Sequence, residues 1–125
     1  MQKLELAKTV DTPQVSFDPT NGQFHVEGES YPENALDFYG PVFESLNQYI
    51  EMTNGPITAH FKLSYFNSSS SKCLLDIFDI LEAFHSVGGK VTVNWYYQVE
   101  DEDIKESGED FADDLSLNFS LVSFE

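Results

Sequence analysis

The chain has 125 residues, the usual size of one folded domain, and its eleven Phe, six Tyr and one Trp supply enough apolar bulk for one packed core. That aromatic content argues against disorder. A formal charge of −16, from 22 acidic against 6 basic residues, repels phosphate backbones and anionic membranes. Nucleic-acid and membrane partners are therefore not expected, although charge alone would also suit a nucleic-acid mimic.

The start, Met1-Gln2-Lys3-Leu4-Glu5, carries an early acid and no apolar stretch, which argues against a secretory signal and for a cytoplasmic protein. No apolar run approaches the ~20 residues a spanning helix needs. Gln14 to Asp18 and Gln23 to Glu27 alternate, with Val15 and Phe17 on one face and Phe24 and Val26 matching them. Asp18-Pro19-Thr20-Asn21-Gly22 between them reads as the loop of a β-hairpin. Ser30 and Glu33 have capping-box spacing, and Pro32 suits a first turn, so a helix is expected to begin there. Its apolar face runs through Leu36, Tyr39, Val42, Phe43, Leu46, Tyr49 and Ile50. Gly40-Pro41 predicts a short helix, a kink and a longer helix to about Met52.

Ile57, Ala59, Phe61, Leu63 and Tyr65 alternate with Thr58, His60, Lys62 and Ser64, which predicts a strand. A helix follows from Ser68 to Val87, with Leu74, Leu75, Ile77, Phe78, Leu81 and Phe84 as its stripe and Gly88-Gly89 as its stop. Cys73 lies within it and reads as a small buried filler; one cysteine cannot form an internal disulfide. Val91, Val93, Trp95, Tyr97 and Val99 mark another strand, Asp101 to about Asp113 an acidic helix with Ile104 and Phe111 inside, and Leu117, Phe119 and Leu121 a last strand that ends the fold.

The order ββαβαβαβ and the half-polar strands predict an α/β domain, α+β-like in layout. Its mixed sheet has about five strands with helices mainly on one face, because a sheet covered on both faces reads as unbroken apolar runs. Gln23, His25, His60, Lys62, Thr92 and Asn94 are expected on the wetter face. Residues 100 to 114 hold nine acids and one base, Lys105, which is either a solubilising segment or a docking surface for a basic partner.

The chemistry-bearing patterns mostly fail. His25, His60 and His85 lack zinc-hydrolase spacing, and the lone cysteine supplies no metal site. A calcium loop starting at Asp101 would place Glu106 where glycine is needed and Ala112 where the bidentate acid belongs. No metal or cofactor is expected. Ser69-Ser70-Ser71-Lys72 matches the short S-x-x-K pattern of serine acyl-enzymes, but its companion motifs are absent. There is no nucleophile elbow, P-loop or dinucleotide fingerprint. The serine run itself, Ser68 to Ser71, sits where a strand hands over to a helix. Asn67 or Ser68 can cap that helix, yet one capping residue suffices and serine is only a middling helix former. A first-turn hydroxyl is also a favourable place for phosphate, whose charge the free N–H groups and the helix dipole stabilise. Capping and a phosphorylation switch both fit the residues.

Five stretches taken together resemble the SiaC family of bacterial regulatory phosphoproteins: Thr12-Pro13 through Phe17-Asp18, Gly28 through Ala35, Phe38 through Val42, Tyr65 through Lys72, and the acidic segment from Asp101 to Phe111. They run in order over nearly the whole chain, so residues 1–125 would form one SiaC-like domain. The resemblance implies a fold similar to anti-sigma-factor antagonists (STAS-like). It also implies no catalysis but partner switching: a Ser/Thr protein kinase adds phosphate, a PP2C-type phosphatase removes it, and the unmodified form binds a target. In the best-known branch the target is a diguanylate cyclase, which places the family in cyclic di-GMP and biofilm signalling. The family's acceptor follows the Asn of the Tyr65–Lys72 block, which is Ser68 here where the family usually has Thr; Ser69 and Ser70 compete. Asn67, Ser68, Ser69 and Lys72, with Asp101, Glu102 and Asp103, are then the expected partner contacts. The other readings are a small hydrolase using Ser69 and Lys72, or a purely structural or ligand-binding domain.

Overall fold

A computed structural model describes all residues, 1–125. The elements are β1 (Leu4–Leu6), β2 (Gln14–Asp18), β3 (Gln23–Ser30), α1 (Ala35–Met52), β4 (Ile57–Phe66), α2 (Ser68–Ser86), β5 (Val91–Gln98), α3 (Glu102–Asp113) and β6 (Asn118–Phe124). The six strands form one mixed sheet in chain order. β1, β2 and β3 are antiparallel; β3 to β6 are parallel and joined by the three helices. The sheet thus has six strands rather than about five. The extra one, β1, is three residues long and too short to show a period; it exists because Leu4 and Leu6 pair across from Phe17 and Val15.

All three helices cover one face. Tyr49 of α1 meets Phe17 edge-on, Phe78 of α2 packs on Phe61, and Phe111 of α3 packs on Trp95. The hairpin expected around Asn21-Gly22 is present, with Val15 opposite Val26 and Phe17 opposite Phe24. Gly22 takes a positive φ of 71°, and a Cβ there would lie 1.9 Å from the Pro56 carbonyl oxygen. On the uncovered face His25 and His60 stack at 4.5 Å. His60 also bonds the Tyr96 hydroxyl and the Gln23 side chain, each at 3.1 Å. Burial, and then the neighbouring His25, hold His60 below the ordinary histidine range.

Three local expectations are corrected. Ser30 does not cap α1: it ends β3 with its side chain buried, and Asn34 is the cap, accepting the Asp37 N–H at 3.2 Å. Pro41 does not divide the helix, which runs from Ala35 to Met52 with Pro41 on its exposed side. Burial of Tyr39, Val42, Leu46 and Tyr49 on one stripe outweighs the backbone bond that proline forfeits. Tyr65 leaves the face of Leu63 because the β3–β4 register slips between Gly28 and Glu29: Gly28 pairs with Leu63 but Glu29 with Tyr65. Ser64 is the extra residue of this bulge. The bulge turns Tyr65 to solvent and Phe66 inward against Trp95 and Phe111.

Candidate functional site

β3, β4 and β5 run parallel and each is followed by a helix, so α1, α2 and α3 all begin at one edge of the sheet. Each start is capped by a side chain that accepts an N–H three residues on: Asn34, Asn67 and Asp101, at 3.2, 2.9 and 3.1 Å. Three positive helix ends therefore gather where the serine run and the acidic turn lie.

At α2 the cap is Asn67 rather than Ser68. Its side-chain oxygen accepts the Ser70 N–H at 2.9 Å, and its carbonyl accepts the Ser71 N–H at 2.9 Å. Ser68 and Ser69 are the first two residues of the helix; both are exposed, and neither hydroxyl is held by a hydrogen bond within the chain. Their backbone N–H groups, the first two of the helix, also have no partner within the chain. Ser70 is different. It is 0% exposed, and its hydroxyl lies 2.7 Å from that of Ser30, which in turn lies 2.6 Å from the Tyr39 hydroxyl. A kinase cannot reach a side chain so placed, so Ser70 is withdrawn as a competing acceptor and Ser69 alone remains beside Ser68. A signal for this was present in the sequence: the buried stripe of α2, counted back one turn from Leu74, falls on Ser70. In the same way, alternation from Phe24 and Val26 falls on Ser30.

Burial pushes the Tyr39 hydroxyl up to about 12, against the opposing effect of its bond to Ser30. The Cys73 thiol, one turn beyond Ser70, is buried as expected and is pushed up, first by that burial and then by Asp76. Neither group ionises near neutral pH. Lys72 is exposed and forms no ion pair; Lys3–Glu5 is the one salt bridge in the chain. Ser69 and Lys72 share no hydrogen bond. None of the five principal hollows is lined by Ser69 or Lys72.

The acidic segment folds as α3. Asp101 caps it, Glu102 and Asp103 are exposed in its first turn, and with Gln98 and Glu100 they line an open hollow of about 420 Å3. The inner side carries Ile104, whose carbonyl accepts the Trp95 indole N–H at 2.9 Å, and Phe111. Beside the serine run, Tyr65 meets Tyr31 edge-on at 5.9 Å, both exposed. The edge thus presents two free hydroxyls, an aromatic pair and a row of carboxylates. It offers a contact surface rather than a cleft.

Comparison with known proteins agrees with this description. An uncharacterized protein of Pseudomonas aeruginosa (strain UCBPP-PA14) is 32% identical over 121 residues, 97% of this chain and 96% of that protein. Apo-SiaC from Pseudomonas aeruginosa superposes with a TM-score of 0.92 at 31% identity, covering 98% of this chain and 99% of that one. SiaC as crystallised in complex with the diguanylate cyclase SiaD, whose activator it is, gives a TM-score of 0.94 at 31% identity over 97% and 99% of the two chains. Residues 6–124 match the family described as SiaC family regulatory phosphoprotein. With that match spanning β2 to β6 and all three helices, the chain belongs to the SiaC family of regulatory phosphoproteins.

Proposed function

We propose that this protein is a non-catalytic cytoplasmic switch that activates a diguanylate cyclase when unmodified and is turned off by phosphate on Ser68. The observation that carries this reading is the contrast within the serine run. Ser68 offers an exposed, unbonded hydroxyl directly after the Asn67 cap, while Ser70 is locked in the core. The activator role of Pseudomonas SiaC supports the target class. A Ser/Thr kinase and a PP2C-type phosphatase complete the cycle.

Phosphate on Ser68 would sit over the free N–H groups of the first turn, four residues before Lys72. The added charge of about −2 leaves the fold intact and changes the surface. A partner packed on Tyr31, Tyr65 and the neutral Ser68 would then have to desolvate a dianion, which weakens the complex. Asn67, Ser69 and Lys72 line the same contact, and Asp101, Glu102 and Asp103 attract basic groups on the partner's rim.

Intact mass after incubation with a Ser/Thr kinase from the same organism tests the acceptor. The wild-type chain gains about 80 Da, one phosphate, and Ser68→Ala gains nothing. A persistent gain in Ser68→Ala would move the site to Ser69, and no gain in either chain would defeat the reading.

A further inference from the structure

The buried polar residues of this chain are few: Thr12, Ser30 and Ser70. Two of the three belong to one hydroxyl chain, Tyr39 to Ser30 to Ser70, which crosses from α1 through the end of β3 to the first turn of α2. Apolar residues of similar size would fill the same space without the cost of burying hydroxyls. Apolar packing from Cys73 onward fixes the body of α2, but its first turn, Ser68 to Ser71, carries no apolar side chain to do the same. A slip of one residue turns every side chain by about 100°. In a run of four serines such a slip exchanges one hydroxyl for another at little cost in composition.

Both Ser30 and Ser70 are held through main chain and side chain together. The Ser30 carbonyl accepts the Asn67 N–H at 3.1 Å while its hydroxyl meets Ser70 at 2.7 Å. Ser70 donates its N–H to the Asn67 side chain at 2.9 Å while its hydroxyl meets Ser30. Asn67, the cap of α2, is thus tied to both serines. The bulge at Ser64 contributes, because it brings Ser30 opposite Phe66, next to the cap.

We propose that Ser30, Tyr39 and Ser70 are the positioning residues of the switch: their hydroxyl chain sets the register of the first turn of α2, so that Ser68 rather than Ser69 is presented to kinase and target. The proposal rests on Ser68 being the acceptor. None of the three touches the incoming phosphate. They act through the Asn67 cap, and Tyr39 makes the start of α1 part of the same device.

Two measurements on the full chain test it, one independent of any kinase. Amide hydrogen exchange of residues 70–72 should speed up about tenfold in Tyr39→Phe and in Ser70→Ala, the effect expected for losing one buried hydrogen bond, while protection in β4 and β5 stays unchanged. Site-localised mass spectrometry with the kinase that modifies the wild-type chain should then show the ratio of Ser68 to Ser69 phosphate falling by a similar factor. A loss of global stability alone would not redistribute phosphate between neighbouring serines. Tyr39→Phe preserves the ring and its packing, so it carries the test if Ser70→Ala fails to fold. Unchanged exchange at 70–72 and an unchanged site ratio in Tyr39→Phe would overturn the proposal. A wild-type chain that takes no phosphate at Ser68 would instead defeat the functional reading, leaving the exchange measurement to decide the register claim alone.

Discussion

Tyr39 is the residue at which fold and candidate site meet. Its ring belongs to the stripe that buries α1, and its hydroxyl reaches Ser30 and through it the start of α2. Burial raises its pKa to about 12, from an ordinary value of 10. The sign follows from linkage: below pH ~10 the tyrosine is neutral folded or unfolded, and above it only the unfolded chain ionises freely. Stability due to this group is therefore present below pH ~10 and is lost between about 10 and 12, by roughly 2–3 kcal/mol. Urea unfolding at pH 9 and about pH 11 should show a steeper loss for wild type than for Tyr39→Phe, which has no hydroxyl to ionise. Equal losses in the two chains would remove this account of the buried hydroxyl. At this scale the sequence was half legible. The buried Cys73 followed from residue type and position, and the α2 cap was narrowed to Asn67 or Ser68, of which the structure takes Asn67. Ser30 was misassigned as a cap because its spacing to Glu33 fits a capping box, and that local pattern lost to the strand that needed its side chain inside.

Among the elements, α3 shows how a helix with little apolar content is held. Only Ile104 and Gly108 of its residues are fully buried, and Gly108 is an unfavourable residue in mid-helix. The reason lies across the interface. A Cβ at position 108 would fall 2.4 Å from Trp95 Cδ1 and 2.7 Å from Leu121 Cδ2, so glycine is what lets α3 lie close against β5 and β6. Gly108→Ala gains helix propensity of about 1 kcal/mol but meets a ring that is 1% exposed and cannot move aside. Overpacking should win, with a net loss of roughly 1–3 kcal/mol in denaturant unfolding. A stabilised variant would show that the helix sits further out than described. The eight longer elements and their order were legible because each carries a clear period of two or near 3.6. The bulge was not. Leu63, Tyr65 and Phe66 are all apolar, so alternation cannot say which of the last two points inward; the aromatic cluster of Trp95 and Phe111 decides it.

For the whole molecule, a net charge of −16 and the gathering of three helix starts at one edge act together. The carboxylates of the 100–114 segment, with Asp101 to Asp103 at that edge, should speed association with a basic-rimmed target at low salt, and the on-rate should fall as salt rises to about 1 M. An on-rate insensitive to salt would leave the segment with a solubilising role only. The layout of one helix-covered face and one wetter face was readable from the half-polar strands, whereas the partner was not: no residue pattern encodes a cyclase, and the target class rests on the family. The most direct measurement is cyclic di-GMP synthesis by a diguanylate cyclase of the same organism, titrated with this protein unmodified and phosphorylated at Ser68. The account predicts that the unmodified protein raises synthesis and the phosphorylated protein does not. Equal activation by both forms, or by neither, would contradict it.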